Sequence, residues 1–158
     1  MSRARGGSLG DVRAIRALLE RYAEAVDARD LGGVASCFTE DAAYEGSLAG
    51  SDIRSALPDL ATRWQEYERT RHSIGCQLVE LPRPGERGPF EAHAETYVSV
   101  RQQRRRDGRL EGRWVVLVYR DDLVRAPAEG RPAAASPWRI ARRRVHTYFR
   151  LDWSHTTH

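Results

Sequence analysis

Asp27 and His72 are the residues of this 158-residue chain whose types best suit proton-transfer chemistry. Asp27 flanks an apolar helical stripe near the end of a predicted helix, where the helix dipole disfavours a carboxylate and another partner is needed. His72 shares strand parity with three apolar residues, which predicts an imidazole on an apolar face; they are Ile74, Cys76 and Leu78. An imidazole oriented by a partner can act as a general base. The alternatives are a histidine satisfied within the core, a structural pair, or no contact with Asp27.

Five further residues are candidates for contacting a small substrate: Tyr22, Tyr44, Trp64, His146 and Tyr148. The hydroxyls of Tyr22 and Tyr44 could donate hydrogen bonds to a substrate oxygen on which charge develops. His146 and Tyr148 share parity with apolar residues at the start of the last predicted strand, so they could reach a pocket from the opposite wall. The alternatives are satisfied core tyrosines, core or subunit packing for Trp64, and an arginine-bearing outer face for His146 and Tyr148.

The sequence points away from metals, cofactors and nucleic acids. It has no HExxH or CxxC spacing, and His72, His93 and His146 fall on separate predicted strands, so we expect no metal and no cofactor. All 26 basic residues are arginine and the formal net charge is +4. The runs 104–106 and 142–144 flank a turn or alternate between faces, so we expect no nucleic-acid partner.

No targeting or membrane-spanning segment is expected. No apolar run approaches the roughly 20 residues that cross a bilayer. The N-terminus is basic but lacks the apolar stretch of a signal peptide. These observations favour a cytoplasmic protein with no membrane partner.

Helical periodicity dominates the first half of the chain. Residues 1–9 are predicted to be a flexible tail, and a first helix begins near Asp11. A second helix is expected from Asp30, its N-cap, to Phe38. A strand follows over residues 39–47, and then a third helix is capped by Ser51 and bent or interrupted at Pro58.

Strand periodicity dominates the second half. Strands are predicted over residues 71–81, 90–103, 110–125 and 138–151, with a hairpin turn at Asp107-Gly108 and a mobile loop at 126–137. Helices followed by an antiparallel meander predict one α+β domain over residues 10–153, followed by a C-terminal tail over 154–158. Because such a sheet twists, it can wrap around the helices and enclose a pocket.

Motifs distributed along nearly the whole chain resemble one known family. They are the first-helix segment from Ile15 to Asp30, the segment Cys37-Phe-Thr-Glu-Asp-Ala-Ala-Tyr44, the strand opening Arg71-His-Ser-Ile-Gly75, and the pair Tyr119-Arg-Asp-Asp-Leu123 and Trp138-Arg-Ile-Ala-Arg-Arg143. In order and spacing they resemble the SnoaL-like group of the nuclear transport factor 2-like superfamily. This group includes dehydratases, a dehydrochlorinase and polyketide cyclases.

The resemblance implies a cone-shaped α+β barrel, with a curved antiparallel or mixed sheet wrapped around N-terminal helices and a deep apolar pocket. It places an Asp–His dyad at Asp27 and His72 and a pocket aromatic at Tyr44, with Tyr22 near another family tyrosine. It implies a dehydratase, isomerase or cyclase that needs no cofactor and acts on a hydrophobic polycyclic carbonyl compound. A homodimer or homotrimer is expected. The alternative is a non-catalytic binding or assembly module on the same fold, like dioxygenase small subunits.

Overall fold

The computed structural model of the protein describes residues 9–83, 86, 88–126 and 137–156. Over these residues the chain forms three helices and five strands in the predicted order. They are α1 (Leu9–Asp27), α2 (Leu31–Ser36), β1 (Phe38–Glu45), α3 (Ile53–Trp64), β2 (Arg69–Glu80), β3 (Ala92–Arg106), β4 (Arg109–Arg125) and β5 (Trp138–Thr156). Leu9 belongs to α1, while the rest of the predicted N-terminal tail and most of the predicted 126–137 loop lie outside the described residues.

The strands form one mixed sheet in the spatial order β1-β5-β4-β3-β2. Strands β2 to β5 make an antiparallel meander, and β1 pairs in parallel with β5. The sheet is curved and does not close on itself, and the helices pack inside the curve. The predicted α+β fold class, a cone-shaped sheet wrapped around N-terminal helices, is confirmed.

The core lies between α1 and the concave face of the sheet. The helix contributes apolar residues at helical spacing, and β3 contributes every second residue, as strand geometry requires. Each fully buried aliphatic side chain of this kind stabilises the fold by roughly 1.5–3 kcal/mol. The buried residues from these two elements include Ile15, Leu18, Leu19, Tyr22, Val26, Ala92, Ala94, Thr96, Val98 and Val100.

Aspartates cap the two shorter helices. The Asp30 carboxylate accepts a hydrogen bond from the Gly33 backbone N–H at 2.9 Å, which confirms the predicted cap of α2. Asp52, not Ser51, caps α3 and accepts from the Ser55 N–H at 3.0 Å. Ser51 lies one residue before the cap position, where its carbonyl accepts a hydrogen bond from β1. The third helix runs on through Pro58, and none of the described helices is long and apolar enough to cross a membrane.

Bulges in β2 and β5 change which residues face the interior. In β2 the register shifts between Ile74 and Gln77, so the inward positions change from 72 and 74 to 77 and 79. The prediction that Cys76 and Leu78 share a face with His72 is therefore wrong; both are exposed. In β5 the register shifts at residue 141, so odd-numbered positions from Arg143 to 147 face inward. It shifts again at Tyr148, so Arg150 faces inward.

The predicted hairpin turn is confirmed, and the strand that ends the chain is longer than predicted. Asp107 and Gly108 join β3 to β4 with φ of 51° and 72°, the left-handed conformations that a two-residue type I′ turn requires. At the other end of the sheet, Thr156 pairs with Arg109 and His155 with Leu110. The prediction of a tail from residue 154 is therefore wrong for 154–156, because β4 offers them pairing partners.

Candidate active site

The structure brings Asp27 and His72 into direct contact. Asp27 is the last residue of α1, and its Oδ1 lies 2.7 Å from Nδ1 of His72 on β2. The His72 side chain is 10% exposed and the Asp27 side chain 19% exposed. The pair is therefore largely shielded from solvent, where an electrostatic interaction is stronger than in water.

The contact fixes which imidazole nitrogen can act as a base. An ionised carboxylate only accepts hydrogen bonds. In the neutral imidazole, Nδ1 of His72 therefore carries the proton and donates a hydrogen bond to Asp27. The other nitrogen, Nε2, is left with its lone pair. Because no described residue hydrogen-bonds to Nε2, it is available to a proton on a bound molecule.

Two more donors from β2 hold the Asp27 carboxylate. The His72 backbone N–H donates to Oδ2 at 2.8 Å, and the Thr70 hydroxyl donates to Oδ1 at 3.3 Å. Thr70 and His72 are two residues apart on one strand, so both face the helix end. These donors compensate for the unfavourable position of a carboxylate at the negative end of the α1 dipole.

A cavity of about 280 Å³ opens inside the cone beside His72. Its walls come from α1, α3, all five strands and the loops that follow β1 and α3. Most of the residues that line its inner part are apolar or aromatic. They are Tyr22, Val26, Tyr44, Leu48, Leu60, Trp64, Val100, Val115, Leu117, Tyr119 and Val145.

Three of the five predicted substrate contacts line this cavity and two do not. Tyr22, Tyr44 and Trp64 all lie on its wall and are buried. His146 and Tyr148 do not line it, and the Tyr148 side chain is 71% exposed. The prediction for these two residues is corrected. The bulge at residue 141 reverses the parity on which the prediction for His146 depended, and Tyr148 is itself the unpaired residue of a second bulge. Their neighbours Val145 and Thr147 face the cavity instead.

Burial keeps the phenols of the cavity wall protonated. Burial raises the pKa of Tyr44 to about 12, and the nearby Tyr22 adds to the effect. Burial also raises the pKa of Tyr119 well above its ordinary value. Near neutral pH both side chains are therefore neutral and hold a proton that can be donated in a hydrogen bond.

Arg143 and Asp121, which the sequence analysis did not select, form a fully buried ion pair behind the cavity wall. Nε and Nη2 of Arg143 donate to the two Asp121 oxygens, both at 2.7 Å. The guanidinium carbon lies 4.3 Å from the ring centroid of Tyr22 and 4.1 Å from that of Tyr119. Burial alone lowers the pKa of Arg143, but the opposing influence of Asp121 is sufficient to raise it overall. The pair fixes the two tyrosines from behind.

Arg16 of α1 clamps the β2 bulge that follows His72. Its guanidinium donates to the carbonyl of Gly75 at 2.6 Å and to that of Ile74 at 3.0 Å. A Cβ at Gly75 would lie 2.9 Å from the Tyr97 carbonyl oxygen, so this position accepts only glycine without a backbone shift. The bulge and its clamp hold β2 where His72 meets Asp27.

A second Asp–His pair lies on the outer face of the sheet. Nδ1 of His93 is 2.6 Å from Oδ1 of the buried Asp122, but the His93 side chain is 55% exposed and lines none of the cavity. Arg142 and Arg144 lie 3.6 Å from the other Asp122 oxygen. Across the described residues, no group of three or more His, Cys, Asp or Glu side chains is arranged to hold a metal ion.

Solved structures with the same fold cover most of the chain. A putative scytalone dehydratase from Novosphingobium aromaticivorans has a TM-score of 0.72 at 17% identity, covering 94% of this chain and 91% of that one. Hexachlorocyclohexane dehydrochlorinase LinA-type3 from Novosphingobium barchaimii has a TM-score of 0.67 at 15% identity, covering 92% and 91%. ActVI-ORFA from Streptomyces coelicolor has a TM-score of 0.66 at 16% identity, covering 90% and 98%. At these identities the likeness shows the fold.

The family rests on a separate comparison. No match was found among the curated proteins. The family model of the SnoaL-like domain matches residues 7–144, which include all three helices and the sheet as far as the middle of β5. The chain therefore belongs to the SnoaL-like domain family.

Proposed function

We propose that the protein is a cofactor-independent dehydratase, isomerase or cyclase. Its proposed substrate is a hydrophobic polycyclic or polyketide-like carbonyl compound. The observation that carries the proposal is the Asp27–His72 pair at the wall of an apolar cavity. A positioned general base contributes about 10²–10⁴-fold to a rate. Membership of the SnoaL-like family supports the same class of chemistry.

In the proposed reaction, Nε2 of His72 removes a proton from the carbon next to the substrate carbonyl. Asp27 then stabilises the imidazolium through the hydrogen bond to Nδ1. The Tyr22 and Tyr44 hydroxyls donate hydrogen bonds to the oxygen of the resulting enolate. His72 returns the proton to a departing hydroxyl in a dehydration or to another carbon in an isomerisation. In a cyclisation, the enolate carbon attacks a second carbonyl group; the C=O π bond of that group breaks, and the resulting alkoxide takes the proton back from His72.

The structural relatives support elimination as one of these outcomes. One is a putative dehydratase and another is a dehydrochlorinase, and both words describe the loss of a small molecule across a bond. The apolar residues of the inner cavity favour a hydrophobic ring system.

A non-catalytic binding or assembly module is the second class that the sequence allowed. Such a module has no need for a buried Asp–His contact beside an open cavity, and the described residues have both. We therefore favour the enzyme.

Self-association is a separate part of the proposal. The outer face of the sheet exposes Tyr97, Trp114, Tyr148, Phe149 and Leu151, and large apolar side chains grouped in this way are typical of subunit interfaces. We expect a homodimer or homotrimer, and sedimentation equilibrium would measure its mass.

The proposed function is tested with a bicyclic β-hydroxy ketone in deuterated buffer. The wild-type protein should exchange the proton next to the carbonyl, followed by NMR, and release water, followed by absorbance. The variant H72Q should lose about 10²–10⁴-fold of the exchange rate. H93Q is the matched control, because it alters the other Asp–His pair, on the outer face. Equal exchange by H72Q and wild type would exclude His72 as the base.

A further inference from the structure

Arginine side chains line the outer end of the cavity, in contrast to the apolar and aromatic residues elsewhere on its wall. Three arginines line it, Arg63 from α3, Arg113 from β4 and Arg150 from β5, against one acidic residue, Glu66. The Arg113 side chain is 30% exposed and the Arg150 side chain 51% exposed, so both lie where the cavity meets solvent. An arginine whose N–H groups are all bound to carboxylates has none left for a ligand. The hydrogen-bond partners of the three arginines therefore decide which of them can bind one.

Two of the arginines share one carboxylate. Asp152 accepts from Nε of Arg113 at 2.7 Å through one oxygen. Its other oxygen lies 2.9 Å from Nε and 2.7 Å from Nη2 of Arg150. One negative charge thus faces two positive charges. Among the described residues, none accepts a hydrogen bond from the Nη atoms of Arg113.

Arg63, on the facing wall, already has its own partners. Its Nε lies 3.1 Å from Asp59, and its Nη2 donates to the Ser47 carbonyl. The donors that remain free therefore belong to Arg113, whose Nη atoms have no acceptor among the described residues. Asp152 does not line the cavity; its side chain is 53% exposed, and it contacts both guanidinium groups from outside the cavity.

The sheet register gives the distance between this charge and the proposed base. His72, Val100, Val115 and Arg150 are consecutive partners across β2, β3, β4 and β5. Arg150 therefore stands three strands from His72, about 14 Å along the sheet, and nearer across its concave face. Arg113 lies one row closer to the open end, opposite Gln102. This span matches a substrate with two or three fused rings.

We propose that the substrate carries a carboxylate, and that Arg113 and Arg150 bind it at the open end of the cavity while the ring system lies inside, toward His72. The proposal rests on the proposed function, since it assigns the substrate class to that same cavity. The guanidinium of Arg113 supplies two N–H donors, and Arg150 adds charge. A charge-assisted hydrogen bond of this kind is stronger than one between neutral groups.

The test compares binding of naphthalenecarboxylate with that of its neutral carboxamide, measured by tryptophan fluorescence because Trp64 lines the cavity. We expect the wild-type protein to bind the carboxylate about tenfold or more tightly than the amide. R113Q should abolish this preference. R150Q should reduce it, and gives a second test if R113Q does not fold.

R101Q is the matched control. Arg101 lies on β3 beside Gln102, but on the opposite face of the sheet, and its substitution removes the same charge. R101Q should keep the wild-type preference. Equal wild-type affinity for the two probes would overturn the proposal, as would an equal effect of R101Q and R113Q. Binding is measured without turnover, so a protein that prefers the carboxylate but exchanges no substrate proton would contradict the proposed function alone.

Discussion

At the scale of single residues, the site depends on how one carboxylate uses its two oxygens. One oxygen of Asp27 accepts from the His72 side chain and the other from the His72 backbone. The same carboxylate thus selects the tautomer of the imidazole and fixes the position of its strand. Loss of the carboxylate charge is expected to affect the chemistry more than the binding of substrate.

D27N is predicted to lower kcat by about 10²-fold or more while changing KM little, because the amide no longer favours the tautomer with a free Nε2. The double variant D27N/H72Q should lose no more activity than H72Q, since the two residues act as one unit. Steady-state kinetics on the four proteins would measure this. Additive losses would contradict the pairing.

Some of these residues could be predicted from the sequence and others could not. Asp27 and His72 were identified from strand parity together with the family resemblance. The burial of Arg143 was not predicted, because a run of three arginines on a strand is typical of a solvated surface. One signal was available: Asp121 and Arg143 fall at directly paired positions of adjacent strands, where opposite charges stabilise each other. That pairing is only visible once the register is known.

At the scale of elements, the β2 bulge matters most because it lies between the part of the strand that carries His72 and the part that is exposed. It turns Cys76 and Leu78 outward, while His72 still faces the interior. Gly75 allows the bulge by its close approach to the Tyr97 carbonyl, and Arg16 fixes it from α1.

G75A is predicted to lower the free energy of unfolding by roughly 1–3 kcal/mol, because the added methyl group meets backbone that can relieve the contact only by shifting. The shift should also reduce activity by moving His72 relative to Asp27. Chemical denaturation and a kinetic assay would measure the two effects.

G88A serves as the control for G75A. A Cβ at Gly88 makes only an ordinary contact, at 3.8 Å from the Phe90 carbonyl oxygen. It should have little effect on stability. If G75A were as stable as G88A, the close approach at the bulge would have no energetic importance.

Bulges also limit how far the sequence can predict which side chains of a strand face the cavity. A single extra residue reverses the parity of every position beyond it. Gly75 gives a sequence signal for such a break, since glycine inside a strand pattern often marks a bulge. The bulges at residues 141 and 148 have no such signal, and for this reason His146 and Tyr148 were wrongly assigned to the cavity.

At the scale of the whole molecule, the order of elements and the fold class were predictable because periodicity changes once, from helical to strand-like, along the chain. The Asp107-Gly108 turn then set the pairing of β3 with β4. The cavity could be expected only in outline. Its arginine-lined end depends on Arg113, Asp152 and Arg150 meeting across two strands, which requires the exact register of β4 and β5.

Alkaline pH is predicted to destabilise the fold through its buried phenols. The pKa of Tyr44 is about 12 in the folded protein against an ordinary value of 10.0. The Tyr44 phenol therefore loses its proton at a lower pH in the unfolded chain than in the folded protein. Its contribution to the free energy of unfolding is fully present below pH 10 and is lost as the pH rises to 12. The contribution of Tyr44 is about 3 kcal/mol.

Denaturant unfolding at a series of pH values would measure this loss. Y44F should show a shallower fall than wild type over the same range, with Tyr119 accounting for part of what remains. Y148F, on the outer surface, should fall as steeply as wild type. An identical slope for Y44F and wild type would show that the Tyr44 phenol ionises alike in the folded and unfolded chain.

The central claim is that Asp27 holds His72 with Nε2 free to accept a proton, and nitrogen NMR of protein labelled in its imidazole rings tests it most directly. In the neutral form of the imidazole, the His72 signals of the wild-type protein should show a protonated Nδ1 and an unprotonated Nε2. In D27N this tautomer should lose its dominance. A wild-type spectrum in which Nε2 of neutral His72 carries the proton, or one that is unchanged in D27N, would contradict the claim.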